Sequence, residues 1–103
     1  MGKPESRIEK KLCDGIKTLG GRAYKFVSPG ISGVPDRIVC LPNGAVVFAE
    51  LKSQRGVLSK QQLHRIEDLR RMKHRVYVLN SEEKVGQFLS EIGKELGNEI
   101  HTP

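Results

Sequence analysis

The sequence predicts an α/β fold in which a mixed central sheet is flanked by helices. Segments with helical periodicity and short apolar runs follow one another in the order α, β, β, β, α, β, α. Two of the runs, 38–41 and 45–51, are separated by a turn-forming segment at 42–44, which is typical of an antiparallel hairpin. A helical segment at 59–75 leads to the last run, 76–79, and this crossover permits a parallel strand pair.

The first predicted element is a helix over residues 5–19. Pro4 suits its start, and the two glycines at 20–21 end it. Glu5 and Glu9 both project within or beside its apolar stripe, where a carboxylate is costly to bury without a partner. The helix dipole is a sufficient explanation for Glu5, which lies in the first turn. Glu9 lies deeper in the helix and needs another reason. The apolar stripe is formed by Ile8, Leu12, Ile16 and Leu19.

A strand is predicted over 22–27, followed by a loop at 28–35 that contains two glycines and two prolines. This composition favours a loop of defined shape placed beside Asp36. Lys25 shares a strand face with apolar neighbours. A lysine that extends its ammonium group to water from the sheet edge is a sufficient explanation for it.

The hairpin brings two carboxylates and a lysine to one surface. With a turn at 42–44, Asp36 lies opposite Glu50, and directly opposed Cβ atoms are roughly 5 Å apart. Strand alternation puts Lys52 on the same face as Glu50. Hard oxygen ligands of this kind suit Mg²⁺ or Mn²⁺. The simpler alternative is an exposed hairpin with a surface salt bridge from Glu50 to Lys52 or Arg37.

The residues Pro35 and Asp36, followed after the hairpin by Glu50, Leu51 and Lys52, resemble the motif of the PD-(D/E)xK nuclease superfamily. The fuller pattern is similar to its VRR-NUC (virus-type replication-repair nuclease) branch, and the resemblance covers about residues 5–80. It implies a restriction-endonuclease-like αβββαβ core, to which this chain adds a C-terminal helix. The matching strings are KFVSPG at 25–30, GVPDR at 33–37 and FAELK at 48–52, with Gln62 downstream.

The resemblance also implies a catalytic site. Asp36, Glu50 and the backbone carbonyl of Leu51 are expected to hold Mg²⁺, for which Mn²⁺ can substitute, and Lys52 is expected to orient the attacking water. Members of the superfamily place an acidic residue on the first helix to complete the metal site, and Glu9 fits that position better than Glu5. Lys25 is expected near the active centre.

The segment from Ser59 to Gln62 matches a helix capping box. Gln62 therefore has two candidate roles, closing the cap or lining the active site as the resemblance implies. The helix that follows has a face of almost uniformly positive charge, which is either solvated or contacts phosphates. The residues predicted to bind DNA are Lys25, Arg55, Lys60 and Arg65.

The C-terminal part begins with the run at 76–79, which is consistent with a strand buried on both faces. Ser81 is the predicted N-cap of a final helix, and Gly97 is its predicted end. Residues 1–97 thus form one domain, and 98–103 are expected to fray.

The composition fits a cytoplasmic protein with a polyanionic partner. The 103 residues carry a net charge of +6, which favours nucleic acid. Cys13 and Cys40 lack CxxC spacing and are predicted to be reduced. Neither a membrane span nor a signal peptide is indicated, and His64, His74 and His101 share no zinc-ligand spacing.

We therefore expect a Mg²⁺-dependent DNA endonuclease, namely a homodimeric Holliday-junction resolvase that acts on four-way junctions. This substrate and this assembly follow from the chain's size and from the resemblance. The alternatives are a nuclease selective for flaps or other branched DNA, a non-catalytic basic DNA-binding module, and a small structural protein.

Overall fold

The computed structural model describes residues 4–53 and 55–100, with side chains from 6 to 53 and from 55 to 97. Three helices and four strands follow one another in the predicted order. They are α1 (Pro4–Thr18), β1 (Arg22–Lys25), β2 (Arg37–Cys40), β3 (Val46–Leu51), α2 (Lys60–Arg71), β4 (Val76–Leu79) and α3 (Glu82–Ile100). The predicted α/β class is confirmed. None of the helices in the described ranges is both long and apolar enough to cross a bilayer.

The four strands form one mixed sheet in the order β1-β2-β3-β4. β1, β2 and β3 are antiparallel neighbours, and β4 runs parallel to β3 after the α2 crossover. In the hairpin, Arg37 pairs with Ala49 and Cys40 pairs with Val46. The Leu41 N–H closes the turn on the carbonyl of Ala45 at 2.9 Å. The predicted register is therefore confirmed.

One face of the sheet carries the hydrophobic core, and α1 and α3 pack on it. Alternation along β2 and β3 points every second side chain to this face. Tyr77 of β4 also points there, with its ring centroid 4.7 Å from that of Phe88. The buried core residues are Ile8, Leu12, Ile16, Val39, Leu41, Val47, Ala49, Leu51, Leu79, Val85, Phe88, Ile92 and Leu96.

The opposite face of β1, β2 and β3 carries mainly apolar side chains between Arg22 of β1 and Glu50 of β3, and it remains partly exposed because α2 packs beside β4. We call this surface the open sheet face. Tyr24 is 53% exposed and Val46 is 45% exposed, while the other members are half-buried. The Phe26 and Phe48 rings contact each other there, with centroids 5.8 Å apart. The open sheet face consists of Tyr24, Phe26, Ile38, Cys40, Val46 and Phe48.

Three predicted details are wrong. β1 ends at Lys25, two residues early: its last paired residue lies opposite Arg37, and beyond it the Phe26 N–H makes a further backbone bond to the Asp36 carbonyl at 2.9 Å. β4 is an edge strand whose two middle residues are only half-buried. α3 continues past Gly97 to Ile100, because a glycine in a helix costs only about 1 kcal/mol and does not force an end. Residues 98–100 thus belong to α3, and 101–103 lie outside the described residues.

Candidate active site

The two carboxylates lie where the hairpin ladder ends. Beyond the pair of Arg37 and Ala49, carboxylate side chains accept the hydrogen bonds of the backbone N–H groups. Glu50 Oε1 accepts a hydrogen bond from the Asp36 N–H at 3.2 Å. The Leu51 N–H points to the Asp36 carboxylate, 3.3 Å from Oδ1 and 3.4 Å from Oδ2. Each strand end is therefore bonded by a carboxylate of the other strand, and the two acidic side chains lie side by side.

Lys52 supplies the positive charge beside these carboxylates. Its Nζ lies 3.8 Å from Glu50 Oε2, and its backbone N–H donates to the Leu79 carbonyl of β4 at 3.1 Å. Glu50 is only 3% exposed. A carboxylate so deeply buried requires partners, which these donors and the ammonium group provide. The simple surface salt bridge considered above therefore does not describe Glu50.

Gln62 performs both of its candidate structural roles. Its Oε1 accepts from the Ser59 N–H at 2.9 Å, and its own N–H donates to Ser59 Oγ at 3.1 Å, which completes the capping box of α2. Its Nε2 donates to Glu50 Oε2 at 3.0 Å. The N-terminus of α2 is therefore bonded directly to a candidate metal ligand.

The loop before Asp36 is fitted against the first turn of α2. Gly33 has φ of +85°, and a Cβ at this position would lie 2.5 Å from the Gln61 carbonyl oxygen. Both the backbone conformation and the close approach therefore require glycine. Arg65 Nε also donates to the Ser32 carbonyl at 3.2 Å. These contacts fix the distance between α2 and the hairpin.

Glu9 contacts Arg37, which was not recognised from the sequence as a site residue. The two side chains form an ion pair, and the side chains of Arg37 and Glu9 are 6% and 44% exposed. Arg37 Nη1 lies 3.4 Å from the Asp36 carbonyl, while its Nε is buried without a hydrogen-bond partner. Burial lowers the pKa of Arg37. A charged residue on the core side of a strand is the sequence signal that could have revealed this pair.

The structure brings Asp36, Glu50, Lys52 and Gln62 together. It does not show Glu9 as part of the same cluster, since within the described ranges no three Asp, Glu, His or Cys residues are arranged to hold a metal. Glu5 lies outside the described side chains. Glu9 as a metal ligand therefore stays a prediction.

The predicted DNA-binding residues differ in their surroundings. Arg55 is exposed on the loop after β3, and Lys60 is exposed at the start of α2. Lys25 is exposed and pairs with Arg37 in the ladder, which puts it on the α1 side of the sheet. Arg65 is less available, because it also donates to Asp68 Oδ2 at 3.1 Å. DNA contact by these four residues stays a prediction.

The donor set at the hairpin fits a hard divalent cation. It consists of the two adjacent carboxylates, to which the family resemblance adds the Leu51 carbonyl, and Mg²⁺ is commonly bound by one or two carboxylates with water completing its shell.

The chain resembles known proteins over most of its length. A scan against models of known protein families gives no match. The chain is 46% identical over 79 residues to "Putative nuclease p44" of Acyrthosiphon pisum secondary endosymbiont phage 1, and the match covers 77% of this chain and 85% of that protein. A solved VRR_NUC domain superposes with a TM-score of 0.81 at 30% identity, covering 86% of this chain and 97% of that domain. Sequence and fold together show that the chain belongs to the VRR-NUC family.

Proposed function

We propose that this protein is a Mg²⁺-dependent endonuclease that hydrolyses phosphodiester bonds in DNA. The observation that carries the proposal is the placement of two carboxylates and one ammonium group. The carboxylates of Asp36 and Glu50 each accept a hydrogen bond from a backbone N–H of the opposite strand, and Lys52 Nζ lies 3.8 Å from Glu50 Oε2. The name of the phage relative and the fold of the VRR_NUC domain support a nuclease. The net charge of +6 supports a polyanionic substrate.

In the proposed reaction, water attacks phosphorus, one P–O bond forms and another breaks, and the departing oxygen takes up a proton. Asp36, Glu50 and the Leu51 carbonyl would hold Mg²⁺, with Mn²⁺ able to substitute. The bound cation would polarise a phosphoryl oxygen and acidify a water. Lys52 would orient the attacking water and offset the charge that builds on the phosphate. Gln62 would hold the Glu50 carboxylate in place.

Glu9 would serve a second cation or its water ligands. Since Glu9 pairs with Arg37, this role requires the carboxylate to serve both partners or to exchange one for the other. The Mg²⁺ concentration for half-maximal cleavage tests it. We expect Glu9→Gln to raise that concentration. An unchanged concentration would show that Glu9 does not serve the cation and acts only as the ion-pair partner of Arg37.

A cleavage assay of the purified chain tests the main proposal. We expect supercoiled and branched DNA to be cut in Mg²⁺ and to stay intact in EDTA. Asp36→Asn should remove cleavage, because the amide keeps the size but not the charge of a cation ligand. Glu67→Gln on the exposed side of α2 is the matched control and should cut like the wild type. DNA binding without any cleavage would favour a non-catalytic DNA-binding module.

We further propose that two copies form a two-fold symmetric dimer that cuts four-way junctions with paired nicks. One copy offers one candidate metal site, and two-fold dimers match symmetry in a nucleic-acid substrate. The open sheet face supports a dimer, since its members are apolar and remain partly exposed. A second copy that covers it would remove exposed apolar surface from water.

Light scattering and junction cleavage test this assembly. We expect a dimeric mass for the wild type and a monomeric mass for Tyr24→Asp, which puts a charge on the open sheet face. Val27→Asp is the control, because Val27 is 76% exposed on the loop after β1 and lies outside that face. A monomeric wild type, or preference for a flap over a four-way junction, would refute the proposed dimer and its junction cleavage. The proposed metal site does not depend on this result.

A further inference from the structure

The side-chain amide of Gln62 is held in one orientation by two contacts of opposite polarity. Its oxygen accepts from the Ser59 N–H at 2.9 Å, and its nitrogen donates to Glu50 Oε2 at 3.0 Å. An N–H can bond only to the oxygen of the amide. The Ser59 peptide group therefore determines that the nitrogen, and not the oxygen, is directed at Glu50.

The Glu50 carboxylate is in turn fixed at both of its oxygens. Oε1 accepts from the Asp36 N–H at 3.2 Å, and Oε2 accepts from Gln62. The first donor belongs to the hairpin and the second to the start of α2. The Lys52 ammonium lies 3.8 Å from Oε2, which is beyond hydrogen-bond distance. Gln62, at 3.0 Å, is therefore closer to this oxygen than Lys52 is.

We propose that Ser59 is a positioning residue for the active site, and that its backbone N–H orients the Glu50 carboxylate through Gln62. The proposal rests on the nuclease function proposed above. Without the Ser59 N–H, the amide of Gln62 is free to rotate and can turn its oxygen toward Glu50. The amide oxygen, which has a partial negative charge and cannot donate, then faces the Glu50 carboxylate, which is only 3% exposed, so water replaces the lost donor poorly.

A proline at position 59 removes this N–H with little other disturbance. Ser59 has φ of −73°, which is close to the value that proline imposes, and only its carbonyl takes part in the helical ladder, where it accepts from the Leu63 N–H at 3.0 Å. Ser59→Pro also loses the hydroxyl cap on the Gln62 N–H. Ser59→Ala loses the same hydroxyl and keeps the backbone N–H. The difference between these two variants therefore isolates the proposed contact from ordinary helix capping.

The first measurement follows the Gln62 side-chain amide by ¹⁵N NMR without any metal or DNA. We expect slow hydrogen exchange of this NH₂ group in the wild type and in Ser59→Ala, and exchange faster by about tenfold or more in Ser59→Pro. Circular dichroism establishes that α2 is intact. If Ser59→Pro does not fold, exchange of the Ser59 backbone N–H replaces this comparison. The proposed contact should protect this N–H in the wild type, and Gln62→Ala, which removes its acceptor, should make it exchange about tenfold faster or more, whereas equal exchange would overturn the proposal.

The second measurement separates kcat from KM for DNA cleavage in Mg²⁺. We expect kcat of Ser59→Pro to lie about tenfold to a hundredfold below that of Ser59→Ala, with KM for DNA similar in both. Ser81→Ala removes the cap hydroxyl at the start of α3 and should cut like the wild type. Equal amide exchange or equal kcat in the proline and alanine variants would overturn the proposal. Absence of cleavage by the wild type would refute the nuclease function, and the NMR comparison would still decide the role of Ser59.

Discussion

Glu9 of α1 and Arg37 of β2 form an ion pair at the edge of the hydrophobic core, and their exposure is unequal. Arg37 as a residue is 5% exposed, whereas the Glu9 side chain is 44% exposed. Each residue alone is anomalous, since a carboxylate lies near the apolar stripe of α1 and a guanidinium lies on the core side of the sheet. Together they compensate each other, and they connect the first helix to the strand that begins after Asp36.

The unequal burial predicts unequal costs of removing each partner. Glu9→Ala leaves a buried guanidinium unpaired and should lower the free energy of unfolding by about 3 kcal/mol. Arg37→Met leaves a carboxylate that water can reach and should cost about 1 kcal/mol or less. Urea unfolding measures both. Adding Arg37→Met to Glu9→Ala should restore most of the lost stability, and equal costs for the two single changes would contradict the explanation.

Alanine at Asp36, Glu50 or Lys52 should abolish cleavage while DNA binding largely survives. The carboxylates repel phosphate until a cation intervenes, whereas affinity comes from Lys and Arg contacts. Because the three residues act as a unit, each single change should cost nearly all of the activity. Single-turnover cleavage and fluorescence anisotropy measure the two properties separately. Near-wild-type turnover in one variant would remove that residue from the site.

Ca²⁺ should support DNA binding without turnover. Ca²⁺ takes a larger and looser oxygen shell than the octahedral geometry that Mg²⁺ demands, so the substrate binds while the attacking water is misplaced. Removal of the cation with EDTA should silence the enzyme without unfolding it, because the hairpin hydrogen bonds are made by protein groups alone. The measurement is cleavage in Mg²⁺, Mn²⁺, Ca²⁺ and EDTA, alongside circular dichroism. Rapid cutting in Ca²⁺ or in EDTA would refute the metal mechanism.

Gly33→Ala should impair both stability and cleavage. The new Cβ would lie 2.5 Å from the Gln61 carbonyl oxygen and 3.0 Å from the Gln62 nitrogen, on a backbone with φ of +85°. Strain and displacement of α2 should together cost about 2 to 4 kcal/mol. Gly30→Ala is the control in the same loop, because its Cβ would meet nothing within 4 Å. Thermal unfolding and cleavage rates should change for Gly33→Ala and stay close to the wild type for Gly30→Ala.

Arg55 and Lys60 should contact phosphates, whereas Arg65 is committed to contacts within the protein. Arg55→Ala and Lys60→Ala should each weaken DNA binding for all sequences and reduce the salt slope by about one. Arg65→Ala should mainly lower stability, because it releases Ser32 and Asp68. Binding isotherms at several salt concentrations separate the cases. If the salt slope falls for Arg65→Ala and stays unchanged for Arg55→Ala and Lys60→Ala, then Arg65 contacts phosphates and the other two residues do not.

The hairpin and the α2 cap were predictable because their signals are local. The turn at 42–44 and the alternation of side chains set the register that places Asp36 beside Glu50. The Ser59 to Gln62 spacing indicated the capping box, which is present. The sequence left Gln62 with two alternative roles, and the structure shows both contacts at once because the amide has a donor end and an acceptor end.

What could not be predicted depends on tertiary contacts. Nothing near Glu9 in the sequence indicates that its partner is Arg37, 28 positions away on another element. The edge position of β4 depends on the strand order, which periodicity does not encode. The end of α3 also escaped prediction, since a glycine is permitted in a helix as well as after one. Whether Glu9 contributes to the metal site stays a prediction, because this too depends on tertiary contacts.

The exchange of hydrogen bonds between the two strand ends makes the candidate site intolerant of insertions and deletions in the strands. One residue added within β2 or β3 would turn either Asp36 or Glu50 to the core side, and both backbone bonds that the carboxylates accept would be lost together. The turn at 42–44 is exposed, and it can lengthen without moving either acid. Changes of length between Asp36 and Glu50 among active relatives should therefore fall in that turn, and a peptide fused there should leave the site intact.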